Sequence, residues 1–166
     1  MNTAGFNFTI DFPVLGEWEN VDQVRLSLQS CIATLFQNVD LRHTLAMVAG
    51  ELLENAVKYA HRSDDRTMFR LKIWGAMSDV AFVQVSNPVD DESAKVVLDA
   101  IESIRSAPSV ADSYFERMRE IASRPSRMSR LGLLRIVYEA GCELSAELAD
   151  GMLIVTAAIR AAGEAE

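Results

Sequence analysis

The strongest constraint on this chain is that its strand-like segments come in pairs. Phe69, Leu71 and Ile73 alternate with Arg70 and Lys72, and a nearly continuous apolar run over 80–86 follows the turn Gly75-Ala-Met-Ser-Asp79. Near the C-terminus, segments 143–148 and 152–159 are joined by Ala149-Asp150-Gly151. Alternation with a period of two buries one side of a strand. Asp-Gly between two such runs suits a turn that needs positive φ, which makes each pair an antiparallel hairpin. A doubly wound parallel sheet is excluded, because its strands alternate with helices.

One more strand opens the chain, where Phe6, Phe8, Ile10 and Phe12 alternate with Asn7, Thr9 and Asp11 before Pro13 and Gly16. The remaining segments have helical character. The first spans 17–37, with Val21, Val24, Leu26, Leu28, Ile32, Leu35 and Phe36 as its apolar positions. The second spans 41–61, with Asp40 as its expected N-cap. Asn87-Pro88 is expected to stop the strand before it. Helices over 92–105 and 110–122 follow, divided by Ala107-Pro108. A basic, polar loop covers 123–130, and a last helix over 131–140 ends at Gly141, a suitable C-terminal cap. The predicted order is β-α-α-β-β-α-α-α-β-β. It gives an α+β fold, a two-layer sandwich of a mixed, mainly antiparallel sheet covered on one face by helices. One domain is expected over 1–166, with its core at about 6–160.

Composition narrows the function. The net charge of −8 argues against general nucleic-acid binding, which favours a basic surface. Cys31 and Cys142 are distant and belong to no CxxC or Cys/His cluster, so two reduced thiols are expected and not a zinc site. The N-terminus lacks the pattern of a signal peptide, and no apolar run reaches membrane-spanning length, so a cytoplasmic protein is expected.

The second helix carries the most chemistry. At about 100° per residue, Glu51, Asn55, Lys58 and Arg62 fall within roughly 60° of one another, opposite Leu45, Ala49, Leu52, Leu53, Ala56 and Ala60. The stripe combines a carboxylate able to act as a general base, an amide oxygen suited to Mg²⁺ and a cation for phosphate. It equally fits an ordinary solvated face of an amphipathic helix.

The segment Glu51-Leu-Leu-Glu-Asn55-Ala-Val-Lys58-Tyr-Ala60 resembles the N-box of the GHKL ATPases, the superfamily of gyrase, Hsp90, histidine kinases and MutL. The order of elements over about 6–160 is similar to the bacterial anti-sigma-factor serine/threonine kinases of partner-switching pathways. That resemblance implies ATP and Mg²⁺ as cofactors, Asn55 as the Mg²⁺ ligand, Glu51 as catalytic base and Lys58 facing the phosphates. It implies a regulatory protein partner similar to an anti-sigma antagonist or a sigma factor. Proteins of this kind often dimerise through the sheet or the first helix, and the apolar residues of 17–37 are compatible with a homodimer.

The G1 and G2 boxes of this chain are degenerate. Asn87 stands where the family has its adenine-binding Asp, in Val83-Gln-Val-Ser-Asn87-Pro-Val-Asp-Asp91, and the expected glycines are missing. Asn87 can accept a hydrogen bond from an adenine amino group, or can simply end a strand. In the second box only Gly132 remains, with Arg130 where another glycine is usual. Arg124, Arg127, Arg130 and Arg135 form a local basic cluster that suits phosphate, a solvated face or an acidic partner. His43 and His61 lack metal-ligand spacing and are expected to be incidental. Two functions stay open: a Mg-ATP-dependent kinase acting on a partner protein, and a non-catalytic module that regulates a partner by binding it.

Overall fold

Alternating apolar residues on all five strands produce one sheet with a buried face and an open one. The structure, a computed structural model, describes residues 5–14, 18–60, 67–76, 80–123 and 131–160. Its strands are β1 (Gly5–Val14), β2 (Thr67–Ala76), β3 (Val80–Pro88), β4 (Glu143–Ala149) and β5 (Met152–Arg160), in the spatial order β1-β2-β3-β5-β4. Every pairing is antiparallel, so the sheet is not mixed. The chain brings β5 back beside β3, with Val85 opposite Val155, and so joins the two hairpins edge to edge.

The five helices are α1 (Trp18–Leu35), α2 (Val39–Tyr59), α3 (Asp91–Arg105), α4 (Val110–Ser123) and α5 (Leu131–Ala140). Leu71, Ile73, Val83, Val85, Val155 and Ala157 face them and are buried. The central helix, α2, lies against β2 and β3, flanked by α1 and α5, while α3 packs on β4 and α4 on α5. Leu45, Leu52 and Leu53 of α2 are at most 2% exposed, and each stabilises the fold by about 1.5–3 kcal/mol through burial. On the open face Trp74 and Phe82 stack at 5.1 Å, Gln84 donates to Thr156 Oγ1 at 2.9 Å, and Arg70 grips Asp11 through two bonds of 2.7 and 2.8 Å.

Three local expectations need correction. Asn38, not Asp40, caps α2: its backbone is extended and its Oδ1 accepts from Leu41 N at 2.9 Å, while Asp40 lies in the first turn. The helix ends at Tyr59 because Ala60 is already extended. In α1, Val21, Leu28 and Ile32 are buried, as is Phe36 just after it, but Leu26 and Leu35 are 57% and 50% exposed. The helix has a single buried face, and these two residues point away from it. The turn expectations hold: Gly141 has φ of 60°, and Asp150 and Gly151 have φ of 52° and 74°, as a tight hairpin needs.

Candidate functional site

The site is built where α5 crosses the middle of α2. Gly132, in the first turn of α5, approaches so closely that a Cβ there would lie 2.4 Å from Glu51 Oε2 and 3.4 Å from Asn55 Nδ2. Glu51, Asn55 and Gly132 therefore meet at one point. Arg135, one turn further along α5, donates from Nη1 to Glu51 Oε1 at 3.0 Å and from Nε to Glu139 at 3.1 and 3.2 Å. The Glu51 side chain is only 12% exposed. Burial raises its proton affinity above the usual carboxylate range, and Glu54 adds to this, whereas Arg135 and Arg25 oppose it. The N-terminal end of α5 beside it also favours negative charge.

Asn55 donates through Nδ2 to the Glu51 carbonyl at 2.8 Å. Its Oδ1 makes no hydrogen bond among the described residues, which leaves the metal-ligating end of the amide available. Lys58 is half-buried, with Nζ 5.3 Å from the centre of the Tyr59 ring. Burial lowers its pKa; Glu54 opposes that shift and Arg117 adds to it. Arg62, the last member of the predicted stripe, and the expected ligand Arg130 lie outside the described residues, as do Arg124, Arg127 and His61.

Asn87 is 1% exposed and donates through Nδ2 to the Pro88 carbonyl at 3.0 Å. The space that it shares with Asn55, walled by Ala56, Val97, Leu133 and Val155, holds about 10 Å³. A void of that size accepts about one water molecule, so in this arrangement adenine has no room beside Asn87. A larger cavity of about 640 Å³ opens at the C-terminal end of α2, bordered by Tyr59, Ile104, Ser113, Arg117, Glu120 and Leu134. That volume is in the range of small-molecule sites. Among the described residues no three His, Cys, Asp or Glu side chains cluster as a metal site. A Mg²⁺ ion here would have Asn55 as its protein ligand and would draw its remaining oxygens from phosphate and water, which is usual for Mg²⁺ at nucleotide sites.

Sequence reasoning missed the role of Arg135, which it grouped with its basic neighbours; an ion pair across 84 positions leaves no local pattern. It also passed over Tyr59 and Arg117, which come to border one cavity only in the folded chain, and over the cleft that His43 helps to line.

No protein-family model and no curated protein matches the chain. Among solved structures, the chain is similar to one from the SiaB-SiaC complex of Pseudomonas aeruginosa, with a TM-score of 0.64 and 16% identity over 92% of this chain and 89% of that one. No described helix is long and apolar enough to cross a membrane. At that identity the likeness is one of fold: the α+β sandwich of this chain is an architecture present in the SiaB-SiaC assembly.

Proposed function

We propose that this chain is a regulatory protein that controls a protein partner through a Mg-ATP site on α2, in the manner of an anti-sigma-factor serine/threonine kinase. The observation that carries the reading is the meeting of Glu51, Asn55 and Gly132 at one point. ATP, when bound, supplies the phosphoryl group, and Mg²⁺ offsets its charge. Asn55 offers Oδ1 to the metal, and Lys58 offers a cation to phosphate. Gly132 lets the backbone of α5 come close to α2. Glu51 takes the proton of a partner's Ser or Thr hydroxyl, and its raised proton affinity suits a base working near neutral pH. The cavity beside Tyr59, next to the Lys58 end of this row, has the volume of a small-molecule site. That a chain similar in fold was crystallised with another protein supports a protein partner here.

A second reading is a binding module without turnover. The filled space beside Asn87 favours it, because the adenine contact expected from the G1 position is closed. Calorimetric titration with Mg-ATP, combined with an assay for transfer of labelled γ-phosphate to a Ser or Thr of a partner protein, separates the readings. The first predicts binding, turnover, and a loss of turnover of about 10²-fold or more in Glu51→Gln with binding retained. Binding without turnover in the unaltered protein selects the second. No binding at millimolar Mg-ATP contradicts a nucleotide site.

A further inference from the structure

We propose that the cleft between α1, α2 and α5 is a second, separate anion site, which takes a phosphoryl group through Arg25, Arg42 and Arg135. The cleft has a volume of about 410 Å³, and Gln29, His43 and Glu51 also line it. Acidic residues outnumber Lys and Arg by 24 to 16 in this chain, yet three arginines border this one space.

Two of these cations, Arg25 and Arg42, are loosely held. Arg25 meets Glu54 at 3.5 Å. Arg42 donates to the Ala33 carbonyl at 3.5 Å and has no carboxylate within salt-bridge distance among the described residues. Arg135 is shared between Glu51 and Glu139. Three arginines against Glu51 leave the Arg and Glu side chains of the lining with a formal surplus of two positive charges. Glu54 and Glu139, at the edges, balance that surplus when the cleft is empty. A phosphoryl group carries about −1.5 to −2 at neutral pH and matches the surplus better than a single carboxylate does. Planar guanidinium groups bind such oxygens in pairs.

Glu51 is the common wall between this cleft and the proposed nucleotide site. A phosphoryl group in the cleft competes with Glu51 for Arg135 Nη1, so removing the charge of Glu51 should tighten binding there. Asn55 does not line the cleft, so the inference does not require ATP to bind at Asn55.

The test is calorimetric titration of the full chain, at constant ionic strength, with inorganic phosphate, with a short phosphothreonine peptide and with its unphosphorylated form. Phosphate or the phosphopeptide should bind in the millimolar range or tighter. Arg42→Gln should weaken binding about fivefold or more, Glu51→Gln should strengthen it severalfold, and Asn55→Ala should leave it within about twofold. Equal binding of the two phosphoryl probes identifies a free ion as the ligand; stronger binding of the phosphopeptide identifies a modified partner side chain. The proposal is overturned if neither probe binds above chloride, or if Arg42→Gln and Arg25→Gln both leave binding unchanged. Because Arg42 bonds only a backbone carbonyl among the described residues, its replacement is compatible with folding. Loss of Mg-ATP binding in Asn55→Ala with phosphate binding intact separates this site from the nucleotide reading.

Discussion

Gly132 and Asn87 stand at the two eroded motifs of the proposed site, yet the fold treats them differently. Gly132 is held by close approach, because any side chain there meets the Glu51 carboxylate. Asn87 is held by its own neighbourhood: it is buried, and its amide is satisfied by the adjacent Pro88 carbonyl. The constraint on the first residue is the close approach of α5 to α2, and that on the second is burial in the core. The comparison separates two kinds of constraint: at α5 two helices approach each other closely, and at β3 a buried amide is satisfied by its own backbone.

The comparison can be broken most forcefully at Asn87. Asn87→Asp installs the residue that the GHKL resemblance implies there, but it removes the donor to Pro88 and buries a carboxyl group. Stability should fall by about 3 kcal/mol near neutral pH, measured by urea unfolding. Burial raises the folded-state pKa of the new carboxyl group above its unfolded value. Its cost is therefore absent at low pH and grows as pH rises through the carboxylate range. An unchanged midpoint at neutral pH would mean that β3 opens to solvent there.

Gly132→Ala probes the other end. The Glu51 carboxylate must move, which breaks its pair with Arg135, while alanine gains about 1 kcal/mol of helix propensity over glycine. The net change in stability should stay within about 1 kcal/mol, but the response to Mg-ATP should disappear. A large loss of stability with the Mg-ATP response preserved would reverse the contrast with Asn87.

Arg135→Gln removes a group that lowers the proton affinity of Glu51. Glu51 is already shifted upward, so its contribution to stability is most favourable at low pH and declines as pH rises through its folded-state value. Without Arg135 that decline should deepen, by about 1 kcal/mol between roughly pH 4 and pH 8. Parallel pH-stability curves for the two proteins would show that the pair is not coupled.

The smallest expected effect concerns the thiols and tests the burial of the α5-to-β4 corner. Burial pushes Cys142 up to about 11, against a weaker opposing effect of its own backbone hydrogen bond. Its Sγ donates to the Ile136 carbonyl at 3.3 Å, while Cys31 is exposed. A thiol reagent should modify Cys31 rapidly in the native protein and Cys142 only on unfolding.

The elements were legible in the sequence because their signals are local. Period-two runs marked β1 and β2, a nearly continuous apolar run marked β3, and Gly141 and Asp150-Gly151 marked turns whose φ values require such residues. The cap of α2 was misread between two residues of similar capping ability, Asn38 and Asp40, because the choice depends on where the backbone turns. The exposure of Leu26 and Leu35 was not legible, since apolar content does not reveal which side of a helix finds a neighbour. The row Glu51, Asn55 and Lys58 was legible from helical geometry. Its opposite wall was not: the Gly132 approach, the Arg135 pair and the closed space beside Asn87 arise from contacts between distant segments.

Thermal unfolding with and without Mg-ATP, for the unaltered chain and for Asn55→Ala, tests the central claim most directly. At about 100 times the dissociation constant, bound nucleotide should add about 2.7 kcal/mol of stability to the unaltered chain. Asn55→Ala should lose most of that gain while keeping its ligand-free stability within about 1 kcal/mol. No shift in the unaltered protein at millimolar Mg-ATP, or an equal shift in both proteins, would contradict a nucleotide site centred on Asn55.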